Sequence, residues 1–177
     1  MGIIEPIGAG QREEVLLAVS SFLRQAEDLF GRRFDQIPVF FDLTGRSAGM
    51  YVSGARGRRI RLNPYIFAKF FEDNLKTTVP HEVAHYVSDI LYGLRHIRPH
   101  GAEWQQIMHG LGVTPRRTCN YDLEGVPVRH YRRFSYHCGC SSHMLTSRRH
   151  NKITGGFVRY SCRKCGDLLR LSGQGEP

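Results

Sequence analysis

The chain has no apolar run near the ~20 residues that a membrane-crossing helix requires, which excludes a helical membrane protein. Residues 1–10 lack the basic start and apolar middle of a secretion signal, and position 6 is Pro where a myristoylation site needs Ser or Thr. The expected location is cytoplasmic. In a chain lacking a secretion signal, the grouping of its 5 cysteines reads as metal ligation before disulfides. Acidic residues nearly vanish toward the end. Residues 126–177 hold 10 Lys and Arg against 2 Asp and Glu, a net of +8, whereas residues 1–125 hold 15 against 14. Almost all of the net +9 charge therefore lies in the last third, and a basic face of this kind attracts a polyanion, nucleic acid foremost. There is no internal repeat or low-complexity stretch. With 41% hydrophobic and 11% aromatic residues, the chain can bury one core and a small annex.

What is present begins with His81-Glu82-Val83-Ala84-His85. On an α-helix residues four apart lie about 40° apart around the axis, so both imidazoles can face one metal ion with the carboxylate beside them. That is the pattern of a zinc hydrolase. Val79, Ala84, Val87, Ile90 and Leu91 recur near helical spacing, Pro80 suits a first turn, and Gly93 is a stop after Tyr92. The competing reading is a pair of solvated or core histidines on an amphipathic helix.

A catalytic zinc site has three protein ligands and leaves the fourth position to water. His100, between Pro99 and Gly101 at the entry to a helix carrying Trp104, Ile107, Met108 and Leu111, is the expected third ligand, and that helix should stop near Gly110 or Gly112. His96 and Glu103 compete for the role, and Glu103 could instead steady a ligand from behind. A third His two turns beyond the motif is excluded, because Ser88 and Leu91 stand where its Gly and His would be.

Four of the five cysteines, Cys138, Cys140, Cys162 and Cys165, fall in the basic end, with Cys119 apart. Cys162-Arg163-Lys164-Cys165-Gly166 has zinc-knuckle spacing, and Gly166 permits the tight turn. Cys138-Gly139-Cys140 is one residue short of the usual spacing, so His143 could replace one of its thiols. About fifty residues bury little surface, so this metal would fold the module outright. Met144 to Lys152 and Phe157 to Tyr160 alternate like strands joined by a turn at Thr154-Gly155-Gly156, which describes a zinc ribbon. Arg132, Arg133, Arg148, Arg149, Lys152, Arg159, Arg163 and Lys164 are interleaved with Tyr131, Phe134, Tyr136, Phe157 and Tyr160, as suits phosphate contact and base stacking. The aromatics could equally be the ribbon's core.

Upstream, the spacing of Val15, Leu16, Val19, Phe22, Leu23, Ala26 and Phe30 predicts a long amphipathic helix over 12–30, closed by Gly31. Strands are predicted over 38–43, 48–53 and 58–62, and Asn63-Pro64 starts a helix over 65–71. One of these strands could be an edge to which an extended peptide adds, aligning it with the metal. The boundary between the two parts is expected near Val126-Pro127-Val128.

Together, Phe41-Asp42-Leu43 with Gly45-Arg46, Ile60-Arg61-Leu62-Asn63-Pro64, Pro80 to His85, Pro99-His100-Gly101-Ala102-Glu103-Trp104, Arg148-Arg149-His150-Asn151 and Tyr160-Ser161-Cys162-Arg163-Lys164-Cys165 resemble the SprT family, bacterial relatives of the Spartan DNA-protein crosslink proteases. The resemblance covers nearly the whole chain. It implies an α+β fold, with a zincin-like metalloprotease core over 1–128 and a basic zinc-ribbon domain over 129–177. It also implies one catalytic zinc on His81, His85 and His100, Glu82 as general base, and one structural zinc on Cys138, Cys140, Cys162 and Cys165. The implied partners are DNA, single-stranded or damaged, and proteins bound to it; the default oligomeric state is a monomer. No segment matches the long tail by which Spartan-type relatives bind ubiquitin or the sliding clamp. The alternative is a non-proteolytic nucleic-acid-binding zinc protein whose helix metal is structural or vestigial.

Overall fold

In the computed structural model, residues 4–117, 120–127 and 132–173 are described. Helix α1, Ala9–Phe30, buries Val15, Val19, Leu23 and Ala26, one stripe of an amphipathic helix, and ends on Gly31 at φ 58, whose N–H returns to the Glu27 carbonyl. Leu16, placed on the same stripe by its spacing, is instead exposed. Three strands follow: β1 (Val39–Phe40), β2 (Gly49–Gly54) and β3 (Gly57–Leu62). They form a mixed sheet in the order β1-β3-β2, with β1 parallel and β2 antiparallel to β3. Among the described residues, one edge of β2 is thus left without a strand partner in this sheet.

Asn63 ends the sheet and starts α2, Pro64–Lys69, its side-chain oxygen accepting from the N–H groups of Tyr65 and Ile66. The expected single helix here is two. Phe70, at φ −134 and ψ 50, breaks the run, and α3 continues over Phe71–Lys76. Buried Asn74 repairs the break by donating to the Phe70 carbonyl at 2.7 Å, while its oxygen accepts from Thr78 Oγ1 at 2.7 Å. Helix α4, Thr78–Tyr92, then runs through the core, burying Val79, Val83, Ala84 and Val87, and stops at Gly93. Helix α5, Ala102–Gly110, lays Trp104, Ile107 and Met108 into the same core.

Asp89, near the end of α4, ties that helix to the β2–β3 hairpin. Its carboxylate accepts from Tyr51 Oη at 2.6 Å and from Arg58 Nε at 2.7 Å, and also from the Leu94 N–H at 3.3 Å. Burial alone would raise its pKa, but these donors, Tyr51 first, together hold it below the usual carboxylate range. A depressed carboxylate contributes stability that is present above its unfolded value of ~3.9 and is lost as pH falls through the folded value. Asp89→Asn should therefore cost about 1–3 kcal/mol at neutral pH, with the gap closing below pH ~4. Denaturant unfolding of both proteins across pH 3–7 measures it; a gap that stays constant would refute the assignment.

The chain divides into two compact units, Met1–Val128 and Arg129–Pro177. The second carries β4 (Arg133–His137), β5 (Ser142–Thr146), α6 (Ser147–Thr154) and β6 (Arg170–Leu171), with an antiparallel sheet in the order β5-β4-β6. The strand expected through residue 152 ends at Thr146, where a helix takes over, and 157–160 forms no strand. The reason lies in burial. Helix α6 buries none of its residues, so the alternation of Leu145, Ser147 and Arg149 past Thr146 is not a face packed on a core. Among the described residues of this unit only Tyr136, Leu145 and Cys162 are buried apolar groups. The architecture is α+β, and among the described residues no helix is long and apolar enough to cross a membrane.

Candidate metal centre

Helix geometry brings His81 and His85 to one face of α4, and the turn before α5 swings His100 across to meet them. Their Nε2 atoms form a near-equilateral triangle, 3.2 Å between His81 and His85, 3.1 Å from His85 to His100 and 3.1 Å from His100 to His81. Hydrogen bonding cannot satisfy this arrangement. A neutral imidazole nitrogen is a donor or an acceptor but not both, and three atoms in a ring cannot alternate. A cation that accepts all three lone pairs resolves the conflict. Tetrahedral ligation at Zn–N distances of ~2.0–2.1 Å would set the nitrogens ~3.3 Å apart, close to the observed spacing. Burial first, and then the neighbouring ring His100, push His81 down to about 4, and burial pushes His85 down to about 3. His100 is lowered as well, so all three are neutral, lone-pair-bearing rings at neutral pH.

His100 adopts φ 57, the one non-glycine residue among those described with positive φ. Its turn is held by the Gly101 N–H donating to the Arg98 carbonyl at 2.8 Å and by Gln105 Nε2 donating to the His100 carbonyl at 3.0 Å. His96 is exposed, and neither it nor Glu103 joins the cluster among the described residues.

Two supports were not legible from spacing. Trp104 underlies all three rings, its centroid 4.8 Å from His81, 5.5 Å from His85 and 4.7 Å from His100, and its Nε1–H donates to the His81 carbonyl at 3.3 Å. Gly49 opens the other side. A Cβ there would lie 2.7 Å from Glu82 Oε1 and 2.8 Å from Thr78 Cγ2, so only glycine lets β2 approach the carboxylate. A glycine within a predicted strand was the one available signal for this close approach. Glu82 is buried, which pushes its pKa up to about 8 despite the Tyr51 backbone N–H that stabilises its charged form. A divalent cation on the adjacent imidazoles would draw it back down.

Two clefts meet at Gly49, His81, Glu82 and Arg117. One, of 400 Å³, runs under Met50, Tyr51, His85 and His100; the other, of 790 Å³, opens past Arg46 and Ala48. Residues of β2 line both, Gly49 in each and Met50 and Tyr51 in the smaller.

In the second unit the Sγ atoms of Cys138, Cys140, Cys162 and Cys165 all lie within 4.8 Å of one another. Cys138 and Cys140 are 3.5 Å apart, and Cys140 and Cys162 are 3.7 Å apart, near the ~3.8 Å of a tetrahedral site with Zn–S of ~2.3 Å. The hydrogen bond from His143, at 3.2 Å, draws Cys138 down to about 5. Cys165 goes the other way. Although the Asp167 backbone N–H favours its thiolate, burial and the crowded neighbouring thiols push it up to about 12, a conflict that a central cation would relieve. The residue between Cys138 and Cys140 is glycine for a local reason: a Cβ at Gly139 would fall 2.6 Å from Asp167 Oδ2, which accepts the Gly139 N–H at 3.1 Å. The fifth cysteine, Cys119, lies outside the described residues.

Arg132, Arg133, Arg148, Arg149, Lys152, Arg159, Arg163 and Lys164 are all exposed. The Arg132 guanidinium lies 5.0 Å over Phe134 and that of Arg149 lies 5.8 Å over Tyr160. Of the interleaved aromatics, Tyr136 is core and Phe134 stacks on His150 at 3.6 Å, while Phe157 is 82% exposed. Tyr131 lies outside the described residues.

The chain thus carries a histidine triad beside a buried glutamate and, further on, a four-cysteine cluster, and residues 19–131 match the model of the SprT-like family. The chain belongs to that family. It is 40% identical over 166 residues to Protein SprT of Pseudomonas paraeruginosa, covering 92% of this chain and 96% of that protein. It is also 35% identical over 162 residues to Protein SprT of Shewanella oneidensis, covering 91% and 99%. To Protein SprT of Vibrio parahaemolyticus it is 34% identical over 149 residues, covering 84% and 86%. No solved structure matches the chain.

Proposed function

We propose that the chain is a zinc-dependent endopeptidase of zincin-like design that cleaves DNA-associated proteins, with its second unit a DNA-binding zinc ribbon. The observation that carries the reading is the triangle of three imidazole nitrogens beside a buried carboxylate, in a cleft that Gly49, Met50 and Tyr51 of β2 also line. Zinc held by His81, His85 and His100 would supply Lewis acidity toward a peptide carbonyl oxygen and toward water. The chain's own groups do the rest. An extended peptide adds to the free edge of β2, which fixes its carbonyl at the site. Glu82 accepts the proton of the attacking water at its carboxylate and delivers it to the departing amine nitrogen, so water is added across the C–N bond. Trp104 and the turn at His100 hold the rings in place.

The exposed Arg and Lys side chains of the second unit support DNA binding through phosphates, with Phe157 free to stack on a base. DNA held there would raise the local concentration of protein bound to the same strand. The zinc-loaded full chain should cleave a DNA-bound protein and do so faster when single-stranded DNA is added, as read by gel. A protein that keeps its zinc and binds DNA but leaves such substrates intact would favour the non-proteolytic alternative.

A further inference from the structure

We propose that the 790 Å³ cleft beside Glu82 is a subsite for acidic side chains, so that the protease selects Asp or Glu just C-terminal to the bond it cuts. The inference rests on the proteolytic reading. Four cations converge on this cleft from separate segments: Arg46 from the loop before β2, Lys76 from the last turn of α3, and Arg116 and Arg117 from the loop after α5. None of the four makes an ion pair among the described residues. Apart from Glu82 the only carboxylate among the described lining residues is Asp73, which accepts from Tyr121 Oη at 2.6 Å, so the cations outnumber the carboxylates. The cleft therefore presents uncompensated positive charge within its walls.

Its apolar lining decides which anion fits. Phe22 and Leu111 line it along with the cations, so a bound group meets both apolar surface and charge. A glutamate, with an apolar stem and an anionic tip, matches that mixture. A bare phosphate group, polar throughout, would leave the apolar lining uncovered. The polarity of the substrate follows from β2. That strand runs from Gly49 toward Gly54, with the cationic cleft at its Gly49 end and the smaller cleft alongside Met50 and Tyr51. A peptide that pairs antiparallel to β2, as β3 does on the other edge, runs the other way, so the residues after the scissile bond enter the cationic cleft.

The zinc-loaded full chain is incubated with a mixed peptide library and the products are read by mass spectrometry. Asp and Glu should be enriched about fivefold immediately after the cut, less so at high salt. Arg46→Glu combined with Lys76→Glu should erase that enrichment while neutral peptides are still cleaved. In parallel, the Glu82→Gln protein is titrated with an acidic and a basic fluorescent peptide and followed by anisotropy; the acidic peptide should bind more tightly, and the charge reversal should remove the difference. Cleavage without acidic enrichment after the cut overturns the inference and leaves the protease standing. Absence of all cleavage removes the protease, and equal affinity for the two peptides then overturns the subsite as well. Displacement of the acidic peptide by a short oligonucleotide, dependent on Arg46 and Lys76, would assign the cleft to nucleic acid and likewise overturn it.

Discussion

Replacing Glu82 with Gln should lower the rate of peptide hydrolysis by ~10²–10⁴-fold while leaving zinc bound at the three histidines. The substitution is nearly isosteric, which matters because Gly49 and Thr78 leave no spare room around this side chain. The amide oxygen can still accept from the Tyr51 N–H, so the contact between α4 and β2 survives. What the amide cannot do is take up a proton. Because none of the three imidazoles is altered, metal content by elemental analysis should match the parent. A variant that retains its metal and cuts a DNA-bound protein at the parental rate would refute the role given to Glu82.

The second large effect is expected at Cys162. Its Sγ is one of the four clustered thiols, its residue is buried, and it accepts the Lys164 N–H at 3.4 Å, so the side chain is placed to hold a metal and already ties the turn that carries it. Structural zinc contributes ~10–16 kcal/mol in modules of this kind, more than so small an apolar core can replace. Cys162→Ser should therefore remove one zinc per chain, unfold Arg129–Pro177 and abolish DNA binding. The histidine-bound zinc and the thermal transition of the first unit should persist. Cys138→Ser is the informative contrast: His143 Nε2 stands 3.2 Å from that Sγ and can take over as ligand, so metal loss should be milder. Equal metal retention in Cys162→Ser and the parent would show that this cluster does not hold the second ion.

Features built from neighbouring residues were legible in the sequence. The face shared by His81 and His85, the stop at Gly93, the cap at Asn63 and the closure of α1 at Gly31 each depend on a few consecutive positions. Helix α6 was misread because a helix that buries nothing leaves no apolar period, and Leu145 alternated with its polar neighbours into what looked like a longer strand. The break at Phe70 was equally silent, since the buried Asn74 that repairs it acts from the following helix. In the metal centre, spacing suggested which imidazoles could meet, and the structure brings His100 rather than His96 or Glu103 to the other two. Spacing could not reveal that Trp104 underlies the rings or that Gly49 makes room for Glu82, because both contacts join segments distant in the chain.

Trp104 is the sole tryptophan of the chain. Since its indole lies against all three imidazoles, light absorbed by tryptophan near 295 nm is deposited at the histidine triad. The protein thus carries its own optical gauge of that site. Titrating zinc while watching emission would follow occupancy of the histidines without a label.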